Sequence, residues 1–282
     1  MTDRPLIVFA YDFDGTLAPG HMQNHAFIPD ELGMDRAHFW AEVNQLARAQ
    51  RGDEILAYMH LMLAKARERG LELSLESWRG RGASLKLFPG VEDWFARQNA
   101  RAEAAGLDLR HFIISSGNRE LIEGSPIASA FERIYASAFM FDAEDDAIGI
   151  ALAVNYTSKT QYLFRINKWT LDEWDGITIN RAQPRDERPV PFDRIVYFGD
   201  GFTDIPVMRV VTDQGGHAVS VWDPDDPLSQ TAALSLRQDG RAHLGGPGDY
   251  REGSPLDQLA DALIARAAAD CRARAAARWP RP

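Results

Sequence analysis

Four short runs of apolar residues predict strands that are buried on both faces of a sheet. The first is the continuous run Leu6–Tyr11, and the others span residues 108–114, 194–198 and 218–222. Three of the four lead directly into a small polar or acidic cluster. In an open parallel α/β sheet, ligands gather at the carboxyl ends of the strands. The pattern therefore predicts one shared site at that edge of the sheet.

Helical segments dominate the chain after the first strand. Three segments carry apolar residues at helical spacing: residues 35–49, 54–69 and 92–105. Pro89 marks a turn before the last of them. Because a simple crossover rarely needs so many residues, we predict an inserted helical unit at residues 19–86. The core domain would then comprise residues 1–18 and 87–282.

The second half of the chain predicts a hairpin, two irregular segments and a terminal helix. Residues 134–141 and 148–156 form strand-like runs around an acidic turn. Residues 176–193 are polar and contain prolines, and residues 240–253 are glycine-rich, so both are predicted to be irregular. An Ala/Arg-rich helix is predicted over residues 255–278.

Composition and charge narrow the possible partners. The 282-residue chain has 45% hydrophobic and 26% charged residues, which is typical of a globular protein. A formal net charge of −10 offers no broad electrostatic surface to nucleic acid or to an anionic membrane. Cys271 is the single cysteine, and Leu6–Tyr11 is too short for a signal peptide or a membrane span. We expect a soluble cytoplasmic protein with no nucleic-acid or membrane partner; its oligomeric state is not indicated.

Two aspartates directly after the first strand are the strongest chemical signal. Asp12 and Asp14 belong to the segment DFDGT, and alternation in an extended chain places them on one side, about 7 Å apart. Such carboxylates repel each other unless a cation lies nearby, and their oxygen atoms suit Mg²⁺. One aspartate can act as a nucleophile towards phosphorus, and the other can protonate the leaving oxygen and then activate water. A strand end merely capped by acidic residues is the alternative, which a bare pair of aspartates would favour.

Residues that could hold a phosphoryl group follow in two places. The cluster Ser115, Ser116, Gly117 and Asn118 offers hydroxyl and backbone N–H groups at a strand end, although such residues also mark ordinary turns. Lys159 and Lys168 lie ahead of the last acidic cluster, and one ammonium group would balance the charge of nucleophile and phosphate. Most lysines are simply solvated, so this signal depends on the others.

A second acidic cluster, Gly199-Asp-Gly-Phe-Thr-Asp204, follows another predicted strand. Asp200 at the strand end would complete a metal site, and Asp204 would fix water molecules or the lysine. The glycines permit a tight turn and a close approach. An acidic N-cap of the following helix is the structural alternative, and it is compatible with this role.

These four elements resemble, in order, the motifs of the haloacid dehalogenase superfamily of phosphohydrolases. The matches are DFDGT, a serine after an apolar strand, a lysine, and GDGxTD, and they cover the chain up to about Trp222. The first and last motifs are specific, whereas the middle two are not. The resemblance implies a Rossmann-like parallel α/β core with an inserted helical cap, similar to phosphoserine phosphatases and pyrimidine 5′-nucleotidases.

The resemblance also implies residue roles. Asp12 would be the nucleophile and Asp14 the general acid and base. The predicted Mg²⁺ site comprises Asp12, Asp14 through its backbone carbonyl, Asp200 and Asp204. Ser115 and a lysine would hold the phosphoryl group. Spacing and an Asn-Lys context favour Lys168 for this lysine over Lys159.

Further residues are predicted to contact the substrate. In the motifs they are Gly15, Thr16, Ser116, Gly117 and Lys159. A cap that closes over the site would exclude water and carry substrate-selecting groups. Candidates for that role lie near its hinges: His21, Gln23, Asn24, His25, Arg79 and Arg81.

The predicted activity is Mg²⁺-dependent hydrolysis of a small phosphorylated metabolite through a phospho-aspartate. A phosphotransferase or phosphomutase, which passes the phosphoryl group to an alcohol, remains open. A 2-haloacid dehalogenase would lack the second aspartate, so Asp14 and Asp200 argue against it. A non-catalytic binding protein is unattractive because every catalytic position is filled.

Overall fold

The computed structural model describes residues 4–25 and 27–277. The strands are β1 (Leu6–Tyr11), β2 (Asp108–Asn118), β3 (Arg133–Phe141), β4 (Ala147–Leu152), β5 (Ile195–Gly199), β6 (His217–Trp222) and β7 (Leu244–Pro247). The helices are α1 (Arg36–Gln50), α2 (Glu54–Glu68), α3 (Leu75–Gly82), α4 (Val91–Ala104), α5 (Arg119–Glu123), α6 (Lys159–Lys168), α7 (Ile205–Asp213), α8 (Pro227–Gln238) and α9 (Pro255–Ala276).

The strands of the described residues form a seven-stranded sheet in the order β4-β3-β2-β1-β5-β6-β7. Strand β4 is antiparallel to β3, and every other neighbouring pair is parallel. Strand β1 lies in the middle and all six of its residues are buried. The predicted Rossmann-like parallel α/β fold is confirmed.

The continuous apolar run of β1 is explained by helices on both faces of the sheet. Phe9 and Tyr11 pack in a core with α4, α9 and the helices of the inserted segment. Val8 and Ala10 pack on the opposite face with residues of α6 and α7. Because side chains alternate along a strand, a strand covered on both faces needs an apolar residue at every position.

Helices α1, α2 and α3 lie within residues 19–86, the segment that was predicted to be a cap and is called here the inserted segment. His25 joins its two ends: His25 Nε2 donates to Pro19 O at 2.8 Å, and Lys86 N donates to His25 Nδ1 at 3.2 Å.

Helix α2 contacts the core through three hydrogen bonds. Asn155 Nδ2 donates to Asp53 Oδ2 at 2.7 Å, directly before the helix begins. Tyr58 OH donates to Ser116 O at 2.7 Å, and Arg67 Nη2 donates to Ala147 O at 2.9 Å. The inserted segment is therefore docked on β2, β4 and the segment that precedes α6.

Several local predictions can be compared with the structure. The hairpin is confirmed as β3 and β4. Residues 176–193 contain only short 3₁₀ turns, as an irregular segment should. The prediction that residues 240–253 are wholly irregular is wrong, because Leu244–Pro247 pairs in parallel with β6 as the edge strand β7. Its sequence, LGGP, does not predict a strand, because glycine and proline are depleted in strands. The segment is extended because it pairs with β6. Helix α9 is confirmed, while Arg278 lies outside the described residues.

Within residues 4–25 and 27–277, no helix combines the length and apolar character that a membrane crossing requires.

Helix α9 is anchored to α4 by one buried carboxylate. Asp257 is 1% exposed and accepts hydrogen bonds from Arg101 Nη1 at 2.7 Å, Gln98 Nε2 at 2.9 Å and Arg97 Nε at 3.0 Å. Gly253 N also donates to it, at 2.8 Å. These donors lower the pKa of Asp257 although burial alone would raise it, so the carboxylate is charged throughout the physiological range.

We expect Asp257→Asn to lower the free energy of unfolding by about 2 to 3 kcal/mol, because it leaves buried donors without their charged acceptor. The matched control is Asp261→Asn on the same helix. The Asp261 side chain is 63% exposed and lies 3.9 Å from Arg101, so its loss should change stability by less than about 0.5 kcal/mol. Urea unfolding followed by circular dichroism measures both; equal effects of the two variants would contradict the anchoring role.

Candidate active site

The carboxyl ends of three adjacent strands bring the predicted motifs together. Strand β1 pairs with β2 on one side and with β5 on the other, so Asp12, Ser115 and Asp200 lie at neighbouring strand ends. Asp12 N donates to Phe198 O at 2.9 Å, which extends the pairing with β5 to the aspartate itself. The predicted site residues at these strand ends therefore converge on one edge of the sheet.

Asp12 is 4% exposed and its two carboxylate oxygens have different partners. Phe13 N donates to Oδ1 at 2.7 Å, and Lys159 Nζ donates to Oδ2 at 2.7 Å. Burial raises the pKa of Asp12, while the Lys159 ammonium group opposes that rise. The lysine therefore favours the charged form, which is the form that can act as a nucleophile.

Lys159 occupies the position that the sequence analysis assigned to Lys168, so that assignment is wrong. Lys159 Nζ also donates to Asp204 Oδ1 at 2.7 Å, and its side chain is fully buried. Lys168 instead donates to Ile179 O at 2.6 Å and to Arg181 O at 2.9 Å. The two lysines are nine residues apart in α6, which places them on opposite faces and about 13.5 Å apart along the axis.

The helical pattern of α6 contains the signal that distinguishes the two lysines. Tyr162, Leu163 and Ile166 are buried against the sheet, and Lys159 lies on the same face at spacings of three, four and seven residues. Helix α6 leads back towards the start of β5, so its first residue lies near the carboxyl ends of the strands. Helix phase therefore predicts Lys159, whereas spacing along the chain does not.

Asp204 holds the lysine and the loop after β5 in place. Its Oδ1 accepts from Lys159 Nζ and, at 2.6 Å, from Tyr197 OH. Its Oδ2 accepts from the backbone N–H groups of Asp200 and Gly201, at 3.1 and 3.3 Å. With both oxygens engaged twice, Asp204 is better suited to positioning Lys159 than to binding an ion.

Three carboxylates of this site, called here the acidic group, lie close together. Asp12, Asp200 and Asp204 offer oxygen atoms that lie within 4.8 Å of one another. Burial, followed by the charges of Asp204 and Asp12, raises the pKa of Asp200. Lys159 offsets only part of this negative charge, because the nearby Asp14 carboxylate also raises the pKa of Asp12 and of Asp200. A divalent cation bound by Asp12 and Asp200 would offset the remainder, so the residues fit a hard metal ion.

Asp14 lies beside this group but its carboxylate has partners in the inserted segment. Met22 N donates to Asp14 Oδ1 at 2.8 Å, and His21 Nδ1 lies 3.9 Å from Oδ2. Asp14 raises the pKa of His21, which favours the protonated imidazole. The Asp14 side chain thus lies between the acidic group and the first residues of the inserted segment, a position suited to proton transfer.

Gly15 has a conformation and a contact that only glycine permits. Its φ is +69°, and a Cβ atom would lie 2.2 Å from Asp200 Oδ2. Thr16 is fully buried, and its carbonyl accepts from Tyr250 OH at 2.6 Å. Thr16 Oγ1 has no hydrogen-bond partner among the residues that the structure describes.

The second predicted cluster is in the expected place. Ser115 is 1% exposed, and its Oγ accepts from Gly117 N at 3.0 Å, which leaves its own proton free for another acceptor. The Ser116 carbonyl accepts from Tyr58 OH and from Ser137 Oγ, while Ser116 Oγ is unpartnered within the described part of the chain. A Cβ atom at Gly117 would lie 3.3 Å from Asp14 Oδ2, so this loop and the first motif are in contact.

Of the six hinge candidates, His21 has a polar contact with a predicted catalytic residue, since its Nδ1 lies 3.9 Å from Asp14 Oδ2. Arg79 pairs with Glu123 at 2.6 Å, and Arg81 pairs with Glu31 at 2.8 Å. Asn24 Oδ1 accepts from Trp40 Nε1 at 3.0 Å, and His25 joins the hinges. Gln23 is 2% exposed. Both arginines are thus engaged in ion pairs with carboxylates that do not belong to the acidic group.

Sequence analysis missed three residues that organise the site. Tyr197 holds Asp204, and Tyr58 holds the Ser116 carbonyl from the inserted segment. Glu120, in the first turn of α5, is 1% exposed and accepts from Phe139 N at 3.1 Å and from Asn118 Nδ2 at 3.2 Å. Tyr197 lies in an apolar strand, three residues before Asp200, and this was a weak sequence signal that it lies near the site. The other two depend on contacts between distant segments.

An α/β sheet whose adjacent strand ends surround a buried aspartate with further carboxylates and a lysine is typical of an enzyme site. The chain belongs to the haloacid dehalogenase-like hydrolase family, whose sequence profile matches residues 9–209. An uncharacterised protein of Borreliella burgdorferi is 31% identical over 230 residues, which cover 73% of this chain and 78% of that protein.

Solved structures have the same fold at low sequence identity. A haloacid dehalogenase family hydrolase from Salmonella enterica serovar Typhi aligns with a TM-score of 0.55 at 16% identity, over 93% of this chain and 72% of that chain. A phospho-aspartyl intermediate analogue of phosphoserine phosphatase aligns with a TM-score of 0.54 at 12% identity, over 91% of this chain and 98% of that chain. These likenesses concern the fold.

Glu120 makes the stability of the protein depend on pH. Burial raises the pKa of Glu120 from 4.5 to about 7. Between these values the folded protein keeps a proton that the unfolded chain releases, so this contribution to stability is complete below pH 4.5 and is lost as the pH rises through 7. In Glu120→Gln, a neutral amide replaces the acid and the contribution no longer varies with pH.

We therefore expect the free energy of unfolding of the wild type, minus that of Glu120→Gln, to fall by something on the order of 3 kcal/mol between pH 4.5 and 8. Urea unfolding at a series of pH values measures this difference, in which the other titrating groups cancel. The control is Glu92→Gln, an exposed position in α4 whose difference should stay nearly constant. Parallel curves for wild type and Glu120→Gln would contradict the raised pKa.

Proposed function

We propose that the protein is a Mg²⁺-dependent phosphatase that hydrolyses a small phosphorylated metabolite through a phospho-aspartate on Asp12. The observation that carries this proposal is the position of Asp12, buried at the end of β1 with Lys159 Nζ at 2.7 Å and within 4.8 Å of Asp200 and Asp204. A carboxylate held beside a buried ammonium group is suited to receive a phosphoryl group, because the lysine balances the charge brought by the phosphate.

In the first step, an Asp12 oxygen attacks phosphorus and the bond from phosphorus to the ester oxygen breaks. Asp14 gives its proton to the departing oxygen, so the product leaves as an alcohol. Ser115 Oγ, whose proton is not used within the site, donates to a phosphoryl oxygen, and Lys159 offsets the charge of the phosphoryl group.

In the second step, water replaces the alcohol. The Asp14 carboxylate takes a proton from this water, whose oxygen attacks phosphorus while the bond to Asp12 breaks. Inorganic phosphate leaves and Asp12 returns to its carboxylate form, ready for another substrate. The contact of Asp14 with His21 and Met22 fixes the carboxylate for both proton transfers.

The metal ion would be held by the Asp12 and Asp200 side chains together with the Asp14 backbone carbonyl. When bound, Mg²⁺ would neutralise phosphate oxygens and orient the phosphoryl group for in-line attack. Asp204 contributes indirectly, since it positions Lys159 and the backbone of Asp200.

The inserted segment acts in this proposal as the cap of the site. Its residue Tyr58 bonds to the Ser116 carbonyl, and Met22 N bonds to Asp14, so closure and the arrangement of the catalytic residues are linked. Exclusion of water by a closed cap would protect the phospho-aspartate until the alcohol departs. A phosphotransferase would use the same first step, and the presence of Asp14 and Asp200 disfavours a dehalogenase.

We expect the wild-type protein to release inorganic phosphate from members of a panel of phosphate monoesters in the presence of Mg²⁺, and EDTA to abolish the release. Asp12→Asn should lose at least about a thousandfold in kcat, because the nucleophile is gone. In Asp14→Asn, slow hydrolysis should let phosphoenzyme accumulate; borohydride reduction would convert phospho-Asp12 to homoserine, which mass spectrometry locates.

Transfer to an added alcohol in place of phosphate release would identify a phosphotransferase. Inactivity on the whole panel with Mg²⁺, or unchanged turnover in Asp12→Asn, would refute the proposal. Circular dichroism of each variant separates loss of chemistry from loss of fold.

The two lysines of α6 provide a matched test of the site. Lys159→Met should lower kcat by about a hundredfold or more, because it removes the cation beside Asp12. Lys168→Met should leave kcat within about twofold, since Lys168 bonds to loop carbonyls outside the site. Steady-state phosphate release measures both, with urea unfolding as the control for stability. A larger kcat effect for Lys168→Met would contradict the assignment of Lys159.

A further inference from the structure

A cleft of about 320 Å³ lies at the β7 edge of the sheet, between α8, the ends of β6 and β7, and Leu259 of α9. None of the residues that line it belongs to the group around Asp12. Its volume is at the lower end of the range usual for small-molecule sites.

The floor of the cleft contains a buried hydroxyl group that lacks a partner. Ser220 lies in β6 and is 3% exposed, and its Oγ has no hydrogen-bond partner among the residues that the structure describes. Side chains alternate along β6, so Ser220 lies on the same face of the sheet as Ala218. Ala218 packs there in an apolar core with Leu236 of α8. A buried hydroxyl group without a partner is unfavourable, so a bound group that hydrogen-bonds there would satisfy it.

The rim of the cleft is basic. Arg237 and His243 line it and are exposed, and neither side chain has a hydrogen bond or an ion pair with another described residue. The described residues that line the cleft include no carboxylate, although the chain carries a net charge of −10. A guanidinium group without an ion-pair partner is available to an anion.

The walls are apolar. Trp222 is partly buried, Ala233 is 4% exposed and Leu234 is 52% exposed. An indole ring and aliphatic side chains around a narrow space favour a flat apolar body, such as one or two fused rings.

We propose that this cleft binds a small organic anion that has a carboxylate on a flat apolar ring system. The carboxylate contacts Arg237 and His243 at the rim, and the ring lies against Trp222 and Ala233. Ser220 provides a hydrogen bond to a polar substituent at the buried end. The site is separate from the proposed phosphatase site and does not depend on that activity.

The experiment is calorimetric titration of the full chain with 2-naphthoate, and with neutral 2-naphthamide as the matched ligand. We expect saturable binding of naphthoate and weaker binding of the amide. Arg237→Gln should weaken naphthoate binding by about fivefold, because it removes the cation at the rim. Ser220→Ala tests the floor with 6-hydroxy-2-naphthoate, whose additional affinity over naphthoate should disappear.

Two controls locate the binding. Arg209→Gln removes an exposed arginine that pairs with Asp213 in α7, and Asp12→Asn alters the acidic group; both variants should bind naphthoate like the wild type. The proposal is overturned if naphthoate shows no saturable binding, if the amide binds equally well, or if Arg237→Gln binds naphthoate with unchanged affinity. Arg237 is exposed, so its replacement should not prevent folding.

Discussion

The ion pairs of Lys159 with Asp12 and Asp204 are the constraint on which the rest of the site depends. A fully buried ammonium group is costly unless carboxylates compensate it, and here two lie at 2.7 Å. Burial opposes the charge on Lys159, but the two carboxylates outweigh it and raise the pKa of the lysine. The ammonium group is therefore permanent at physiological pH, and it favours a charged Asp12 where burial alone would favour the neutral acid.

The same pairs tie the site to the sheet. Lys159 is the first residue of α6, whose apolar face packs on the sheet, and Asp204 follows β5. The loops around these pairs are closely packed. A Cβ atom at Gly199 would lie 2.5 Å from Asp204 Oδ2 within the loop after β5, and one at Gly15, in the loop after β1, would lie 2.2 Å from Asp200 Oδ2. Glycine is thus needed at both positions because a side chain would not fit there.

The inserted segment is joined to the loops of the candidate site by specific polar contacts. Tyr58 OH donates to the Ser116 carbonyl, and Met22 N donates to the Asp14 carboxylate. The arrangement of the loop after β1 and of the Ser115–Asn118 cluster therefore depends on the docking of the inserted segment. Arg79 and Arg81 stabilise the segment through Glu123 and Glu31. In the proposed enzyme, selection of the substrate would therefore rely on residues other than these arginines, with His21 the hinge residue nearest to the acidic group.

The sequence by itself determined the parallel α/β class, the hairpin, the four longest helices of the described residues and the strand ends where the candidate site lies, because these depend on local patterns. A buried central strand requires a continuous apolar run, and polar residues at its end are visible directly after Tyr11. Other features were decided only by the tertiary structure, because they depend on which distant segments of the chain come into contact. Lys159 rather than Lys168 reaches Asp12 because of the phase and direction of α6, and the edge strand β7 exists only through pairing with β6. The partners of Tyr58 and the basic cleft likewise arise from contacts between residues far apart in the chain, which no local pattern records.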